Sequence, residues 1–227
     1  VIGWPSSEIV GLIRGKRGTK VTVKLLGAGA AMSQARSVTI VRDVIQEEDA
    51  GVRSRTVEIT RDGKKHVLGV VEIPSFYLNY RARRAGADYR SVSEDTNKAL
   101  QALANTNVEG IIIDLRNNPA GSLEEVAKML GRVSESGPVV QIRDGNGNVS
   151  VFEDTDGGKQ TYAGPLAVMI NLASASASEI YSAAIQDYGR GIVIGSTTTG
   201  KGTAQVQLDT LAHGQATLTQ RKFYRVT

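Results

Sequence analysis

The sequence repeats one pattern that strongly limits its fold: a continuous apolar run, a turn of small or polar residues, and an amphipathic helix. The first run is VEGIIIDLR (108–116), followed by NNPAG and the helical segment SLEEVAKMLGRV. The second is GPLAVMINL (164–172), followed by ASASA and the helical segment SEIYSAAIQDYGRG. Runs that are apolar throughout are typical of strands buried on both faces, as in parallel sheets covered by helices. The pattern therefore predicts an α/β fold with a layered β-α core.

Shorter segments extend this core on both sides. RTVEIT and KHVLGVVEI predict a strand pair around the turn RDGKK, and SVSEDTNKALQALANTN predicts a helix whose capping box is formed by Ser91 and Glu94. GIVIGS predicts a third strand of the core, and TAQVQLDTL and GQATLTQRKFYRV predict further strands. Residues 46–227 are therefore predicted to form one layered core.

Residues 1–45 are predicted to form a separate, β-rich module. SSEIVGLIRG has apolar residues at helical spacing and ends at Gly15. TKVTVKLL and SVTIVRDVI alternate apolar and polar residues, as half-buried strands do, and GAGAAMSQAR joins them as a loop.

Composition limits the chemistry that is open to the chain. The 227 residues include no cysteine, which excludes disulfides, thiolate metal sites and cysteine nucleophiles. The net charge of +4 comes from scattered basic residues, and aromatic residues make up only 5%, whereas nucleic-acid binders more often have a basic stripe with interleaved aromatic rings. These observations predict a globular protein without a thiolate metal site or a nucleic-acid partner, and we expect no metal ion and no other cofactor.

Ser174, Ser176 and Ser178 alternate with alanines where the second apolar run meets its helix. One interpretation is structural, because small residues allow a tight strand-to-helix turn. The other is that one serine is a nucleophile and the alanines leave room for a substrate backbone. A serine nucleophile requires a base that accepts its proton.

Histidine is the usual base, but His66 and His213 lie in a charged hairpin and a polar loop, which favours a surface position for both. The sequence also lacks the GxSxG motif of hydrolases that use a Ser-His-Asp triad. The remaining candidate is a lysine that is desolvated enough to be neutral.

Lys201 lies in GSTTTGKGT, which resembles a phosphate-binding P-loop as far as Gly200 and Lys201. Gly202 stands where the P-loop needs serine or threonine, and the next segment alternates like a strand and does not open a helix. The P-loop interpretation is therefore disfavoured. Since this loop and Ser176 follow strands that are predicted to be neighbours, both are expected at the edge of the sheet where α/β proteins bind ligands.

The segment SASASEIYSAAIQDYGRGIVIGSTTTGKGTAQ resembles the active-site block of the tail-specific, or carboxyl-terminal processing, peptidases of S41 type. The resemblance implies a crotonase-like layered core, with Ser176 as nucleophile and Lys201 as general base. It further implies that Gln205 holds the lysine amine and that Asp187 has a catalytic or structural role in the site.

Two other segments add to the resemblance. DLRNNPAG resembles the family turn that supplies one oxyanion-hole amide, which implies Ala120 or Gly121 as one donor and Ala177, after the nucleophile, as the other. Ala120 replaces the first glycine of the usual pair, so a donor that needed a positive φ there would be strained. Residues 1–26 resemble the second half of a PDZ module, which implies a partial PDZ-like module over 1–45.

The resemblance implies a serine endopeptidase of the periplasm or cell envelope that cleaves unfolded proteins or proteins with accessible C-terminal tails, and it leaves a homo-oligomer or an adaptor protein open. Two alternatives are a catalytically silent peptide-binding scaffold and a crotonase-like acyl-thioester enzyme. For a peptidase, we expect Ser176 Oγ within hydrogen-bond reach of Lys201 Nζ. We also expect Lys201 to be buried with no carboxylate on its amine, since burial disfavours the ammonium form.

Overall fold

The structure is a computed structural model that describes residues 4–27, 29–43, 51–135, 137–153, 160–208 and 216–227. The chain divides into two compact units, Val1–Asp49 and Ala50–Thr227. No helix in the described ranges is both long and apolar enough to cross a membrane.

In its described residues, the first unit contains one helix, one short 3-10 turn and one antiparallel strand pair. In chain order these are α1 (Ser6–Ile13), β1 (Lys20–Leu25), the 3-10 turn Met32–Gln34 and β2 (Arg36–Val41). The guanidinium of Arg42 donates to the carbonyl oxygens of Leu12 and Ile13 at the end of α1, and to that of Lys20 at the start of β1. It therefore satisfies carbonyls that a helix end leaves without partners and ties the helix to the strand pair. The assignment of this unit to a PDZ-like module stays a prediction.

The second unit contains nine strands and four helices in its described residues. In chain order these are β3 (Arg53–Arg61), β4 (Lys64–Glu72), α2 (Tyr80–Arg84), α3 (Val92–Ala104), β5 (Gly110–Asp114), α4 (Leu123–Val133), β6 (Pro138–Asp144), β7 (Val149–Glu153), β8 (Leu166–Ile170), α5 (Ala177–Asp187), β9 (Ile192–Gly195), β10 (Thr203–Leu208) and β11 (Ala216–Tyr224).

A five-stranded sheet with the order β3-β4-β5-β8-β9 forms the centre of this unit. Strands β4, β5, β8 and β9 are parallel, and β3 is an antiparallel edge strand. Ile111 and Ile113 of β5 are at most 1% exposed, as its continuous apolar sequence predicts. The predicted pairing of β8 with β9 is confirmed, and the carboxyl ends of the parallel strands therefore meet at one edge.

Helices α3, α4 and α5 contribute their apolar faces to one core with this sheet. Leu100 of α3 and Met129 of α4 are fully buried, and burying side chains of this size stabilises the fold by about 1.5–3 kcal/mol each. The predicted N-caps are present, because Ser91 Oγ and Ser122 Oγ each accept a hydrogen bond from the N–H three residues later.

A second, antiparallel sheet has the order β10-β11-β6-β7 and belongs to the same core. The sequence analysis predicted β10 and β11 but assigned neither the hairpin β6–β7 nor the short helix α2. The hairpin is signalled only by the apolar residues of PVVQI and the turn DGNG, which lie between two stronger helix and strand patterns.

Candidate active site

Two of the three alternating serines have structural roles. Ser174 Oγ donates to the carbonyl oxygen of Leu115 at 2.8 Å, and Ser178 Oγ donates to that of Asn118 at 2.9 Å. Both serines are completely buried. Their hydrogen bonds fix the turn after β8 to the turn after β5, and hydroxyls committed in this way are unavailable as nucleophiles.

Asn117 and Asn171 add a second link between the same two turns. The backbone N–H of Asn117 donates to Asn171 Oδ1, and Asn171 Nδ2 donates to Asn117 Oδ1, both at 2.9 Å. Asn117 has a φ of 62°, a conformation that asparagine tolerates better than most residues. The two turns therefore form one connected surface at the carboxyl edge of the sheet.

Ser176 is the serine of the three whose side chain faces a cavity. It precedes α5 as the N-cap residue, with φ 53° and ψ −105°. A residue other than glycine in such a conformation is strained by about 1–3 kcal/mol, and strain of this kind is concentrated at functional sites. Ser176 is half-buried, and its hydroxyl donates to no backbone carbonyl within the described ranges.

Two cavities meet at Ser176 and Lys201 and together include every residue to which the resemblance gave a role in the site. The Gln205 cavity has a volume of about 360 Å³ and is lined by Ala120, Gly121, Leu123, Ile142, Ser176, Ala177, Ile180, Lys201, Thr203, Ala204, Gln205, Arg221 and Phe223. The Asp187 cavity has a volume of about 400 Å³, and its lining includes Ser176, Glu179, Asp187, Thr198, Lys201 and Arg225. Both volumes lie within the range of small-ligand sites.

The prediction that Lys201 is buried is wrong, because its side chain is exposed. The loop that carries Lys201 follows β9, an edge strand on which Ile192 and Ile194 are themselves 63% and 49% exposed. Among the described residues, no apolar layer buries the Lys201 side chain. Among the residues that the structure describes, Lys201 Nζ makes no hydrogen bond to Ser176 Oγ, and no carboxylate pairs with it.

Glu179 connects the nucleophile turn to the lysine loop. Its carboxylate accepts hydrogen bonds from the backbone N–H groups of Ser176 at 2.7 Å, Gly200 at 2.6 Å and Lys201 at 2.9 Å, and from Thr198 Oγ1 at 2.7 Å. The sequence analysis did not name Glu179 as a site residue. Its position three residues after an N-cap serine, which is that of a capping box, was the available signal.

The protonation state of Glu179 follows from these contacts. Partial burial alone raises the pKa of the carboxyl, but the hydrogen bonds from Thr198 and from the three backbone N–H groups outweigh burial and lower the pKa below its ordinary value of 4.5. Glu179 is therefore ionised at neutral pH. The ionised carboxylate accepts hydrogen bonds from backbone N–H groups and forms no ion pair with the amine of Lys201.

Gly121 and Ala177 both line the Gln205 cavity, and their backbone N–H groups have no hydrogen-bond partner in the described part of the chain. Ala177 is the first residue of α5, where a helix leaves N–H groups unpaired. Gly121 has a φ of 153°, and a Cβ on it would lie 2.3 Å from the Cβ and carbonyl oxygen of Phe76. Ala120 lies outside the positive-φ region, so the replacement of the usual glycine there introduces no such strain.

Gln205 lines the same cavity as Lys201 without contacting its amine. A β-bulge between Ala204 and Gln205 shifts the register of β10, and Gln205 Nε2 donates to Thr203 Oγ1 at 2.8 Å. The implied contact of Gln205 with the lysine amine is therefore absent from this conformation of the described residues.

Asp187 pairs with Arg225 and not with Lys201. The Asp187 side chain is only 4% exposed, and its Oδ1 accepts a hydrogen bond from Arg225 Nε at 3.0 Å and a second from the terminal guanidinium nitrogen. The hydrogen bonds from Arg225 are the main cause of the lowered pKa of Asp187. Of the two roles that the resemblance left open, this geometry fits the structural one.

His66, the one described histidine, does not lie at this site. His66 Nδ1 lies 2.9 Å from Glu109 Oε2, and His66 lines neither cavity. His213 lies outside the described residues.

Comparisons with known proteins identify a peptidase family and similar sequences. Residues 67–227 match the family described as Peptidase family S41. The chain is 41% identical to the tail-specific protease of Haemophilus influenzae over 234 residues, which cover 100% of this chain and 31% of that protein. It is 32% identical to the carboxy-terminal processing protease CtpB of Bacillus subtilis over 194 residues, covering 85% of this chain and 36% of the relative. The chain thus spans about a third of the length of these relatives.

Two solved structures have a similar fold. The photosystem II D1 C-terminal processing protease gives a TM-score of 0.64 at 25% identity, over 98% of this chain and 55% of that one. The structure of mature CPAF complexed with lactacystin gives a TM-score of 0.63 at 14% identity, over 94% of this chain and 61% of that one, and shows the likeness of fold alone.

Proposed function

The chain belongs to peptidase family S41, and on that premise we propose that it carries the catalytic centre of a serine endopeptidase with Ser176 as nucleophile and Lys201 as general base. One observation carries the proposal. The strained Ser176 turn and the Lys201 loop, joined through Glu179, line the same two cavities. Gly121 and Ala177 line one of these cavities, and their N–H groups have no partner in the described ranges, as an oxyanion site requires.

In the first step, Ser176 Oγ attacks the scissile carbonyl carbon while its proton passes to neutral Lys201 Nζ. The carbonyl oxygen becomes an oxyanion, which the N–H groups of Gly121 and Ala177 stabilise. Loss of one such donor typically lowers the rate by about 10²–10³. The positive end of the α5 dipole, at Ala177, favours the same negative charge.

In the second step, the C–N bond breaks, and Lys201 returns the proton to the leaving amine. The N-terminal part of the substrate is then an ester of Ser176. Water attacks this ester, gives its proton to Lys201 Nζ and releases a carboxylic acid, and the proton returns to Ser176 Oγ. Protons and bonds balance over the cycle without a cofactor.

Because Lys201 is exposed, this mechanism requires the bound substrate to desolvate its amine. A polypeptide lying across both cavities removes water from the amine, which disfavours the ammonium form. Gln205 lies on the same cavity and is free to turn its amide oxygen from Thr203 toward the amine. Closure over a bound substrate is a common way to complete a catalytic arrangement.

The substrates that we propose are unfolded proteins or proteins with accessible C-terminal tails, since the matched relatives are named as tail-specific and carboxy-terminal processing proteases. A PDZ-like module would capture such a tail by strand addition. The crotonase-like assignment of the core and the location in the periplasm or cell envelope belong to the same proposal. Whether the protein acts as a homo-oligomer or with an adaptor is left open by it.

A catalytically silent peptide-binding scaffold is the second candidate. It is favoured by the exposed Lys201 and by the missing hydrogen bond between Ser176 Oγ and Lys201 Nζ in the described residues. A scaffold would bind the same unfolded substrates without cleaving them.

Cleavage of an unfolded protein, followed by mass spectrometry of the fragments, separates the two candidates. We expect cleavage by the wild type and by the control variants Ser54→Ala and Lys64→Arg, which change exposed residues on β3 and β4. We expect none by Ser176→Ala or Ser176→Gly, the second of which accepts a positive φ without strain, and none by Lys201→Arg, since a guanidinium does not give up its proton. Binding without cleavage by the wild type would support the scaffold.

A further inference from the structure

Arg221 is a charged residue of the Gln205 cavity for which the mechanism above has no role. It lies on β11, where it faces Asp144 of β6 in the register, and the next pair is Lys222 with Arg143. Because side chains alternate along a strand, Arg221 and Phe223 share one face, and both line the cavity that contains Ser176. Lys222 lies on the opposite face and does not line that cavity.

No carboxylate among the described residues forms an ion pair with the Arg221 guanidinium, which makes no hydrogen bond there. The nearest candidate by register is Asp144, but its carboxylate accepts hydrogen bonds from the backbone N–H groups of Asn146 and Asn148 and from Asn148 Nδ2, each at 2.9 Å. The described lining of the Gln205 cavity includes two cations, Lys201 and Arg221, and no aspartate or glutamate.

We propose that Arg221 binds a carboxylate of the polypeptide substrate close to the scissile bond, so that the centre prefers substrates with an acidic group at that position. This inference rests on the proposed peptidase function. A guanidinium stays charged over the whole working pH range and matches a carboxylate with two parallel hydrogen bonds. Arg221 therefore takes the anion, which leaves Lys201 free to act as a base.

Matched peptide substrates test this proposal on the wild-type protein. The parent peptide carries uncharged residues around one cleaved bond, and glutamate is compared with glutamine at each of the three positions on either side. A second pair differs only in a free or amidated C-terminus close to the bond, which separates a terminal carboxylate from an acidic side chain as the source. We expect kcat/KM to be about tenfold higher for the acidic member of at least one pair, as for a charge-assisted hydrogen bond.

Two variants of Arg221 and one control complete the test. Arg221→Gln should bring the acidic-to-neutral ratio to about one, and Arg221→Glu should reverse it in favour of a lysine-containing peptide. The matched control is Lys222→Gln, which removes the same charge from the opposite face of the strand and should keep the preference. Cleavage of the neutral peptide by Lys222→Gln gives the basal rate with which both Arg221 variants are compared.

The failure of this inference is distinguishable from the failure of the proposed function. Cleavage of the neutral peptide with no acidic preference in the wild type, or a preference that survives in Arg221→Gln, would overturn the role of Arg221 and leave the peptidase intact. If the wild type cleaves no peptide at all, the peptidase function is wrong and this inference fails with it.

Discussion

The carboxylate of Glu179 accepts four hydrogen bonds, and three of them come from the backbone N–H groups of Ser176, Gly200 and Lys201. No other side chain in the described ranges forms hydrogen bonds with the backbone of both proposed catalytic residues. We infer that Glu179 is a positioning residue. Its hydrogen bonds stabilise the relative positions of Ser176 and Lys201, and they do not involve Ser176 Oγ or Lys201 Nζ. A glutamine in its place has one oxygen acceptor, and its NH₂ group would face N–H donors.

The first prediction concerns Glu179→Gln. We expect kcat to fall at least about tenfold with a smaller change in KM, because the substitution misplaces the base relative to the nucleophile while the cavities remain. Steady-state kinetics with the neutral peptide measure this split. Glu58→Gln, which changes an exposed glutamate on β3, is the control. An unchanged kcat in Glu179→Gln would show that Glu179 does not position the catalytic residues.

The second prediction is the pH dependence of stability at the same residue. The folded-state pKa of Glu179 lies below its ordinary value of 4.5, so the ionised group stabilises the fold fully above about pH 4.5. This contribution is lost as the pH falls through the lower, folded-state pKa. The difference in urea midpoint between the wild type and Glu179→Gln should therefore be constant near neutrality and narrow in acid. A difference that widens in acid would contradict the assigned direction.

The third prediction contrasts two adjacent residues of the turn after β5. Gly121→Ala should abolish cleavage, because its Cβ would lie 2.3 Å from backbone and side-chain atoms of Phe76 and would displace the proposed donor. Ala120→Gly should retain activity, since Ala120 needs no positive φ. Peptide cleavage is measured on variants whose folded state is checked by circular dichroism. An active Gly121→Ala variant would exclude the Gly121 amide as oxyanion donor.

At the scale of elements, the site depends on the contact between β11, which carries Arg221, and α5, which begins after Ser176. Arg225 follows β11 directly, and its guanidinium binds Asp187, the last residue of α5, as well as Gln186 Oε1 at 3.0 Å. The Asp187 cavity lies beside this contact. We infer that the pair holds the antiparallel sheet against α5 and thereby maintains the wall of both cavities.

The fourth prediction is a double-mutant cycle on this pair. Asp187→Asn and Arg225→Gln should each destabilise the fold, and the double variant should cost about 1 kcal/mol less than their sum, since Arg225 is half exposed and its charge is partly screened. Urea unfolding measures the coupling. The exposed pair Arg55 and Glu72 serves as control and should couple by less than about 0.5 kcal/mol. Additive effects at Asp187 and Arg225 would show that the pair does not join the two elements.

At the scale of the whole molecule, local patterns predicted the parallel sheet well, because each of its strands and helices has a strong signal of its own. The pairing of β8 with β9, which brings the Ser176 turn beside the Lys201 loop, followed from chain order. The hairpin β6–β7 has a weaker signal and was missed, although β6 contributes Ile142 to the Gln205 cavity. Without this hairpin, Arg221 could not be placed at the site from sequence patterns.

The exposure of Lys201 was beyond the reach of sequence patterns for a different reason. The apolar sequence of β9 is compatible with an internal strand or with an edge strand, and only the sheet order shows that β9 is the edge in the described residues. Glu179 was missed because a glutamate that only caps a helix and a glutamate that also positions a site have the same sequence pattern. In both cases the missing information is tertiary.

The most direct test of the central claim is to locate the covalent intermediate. The wild-type protein is mixed with an activated peptide ester, the reaction is quenched with acid during turnover, and the proteolytic fragments are analysed by mass spectrometry. The proposed mechanism predicts that the acyl group is attached to Ser176, that Ser176→Gly carries none, and that Lys201→Arg carries far less than the wild type. An acyl group on any other residue, or turnover without acylation of Ser176, would contradict the assignment of Ser176 and Lys201 as the catalytic pair.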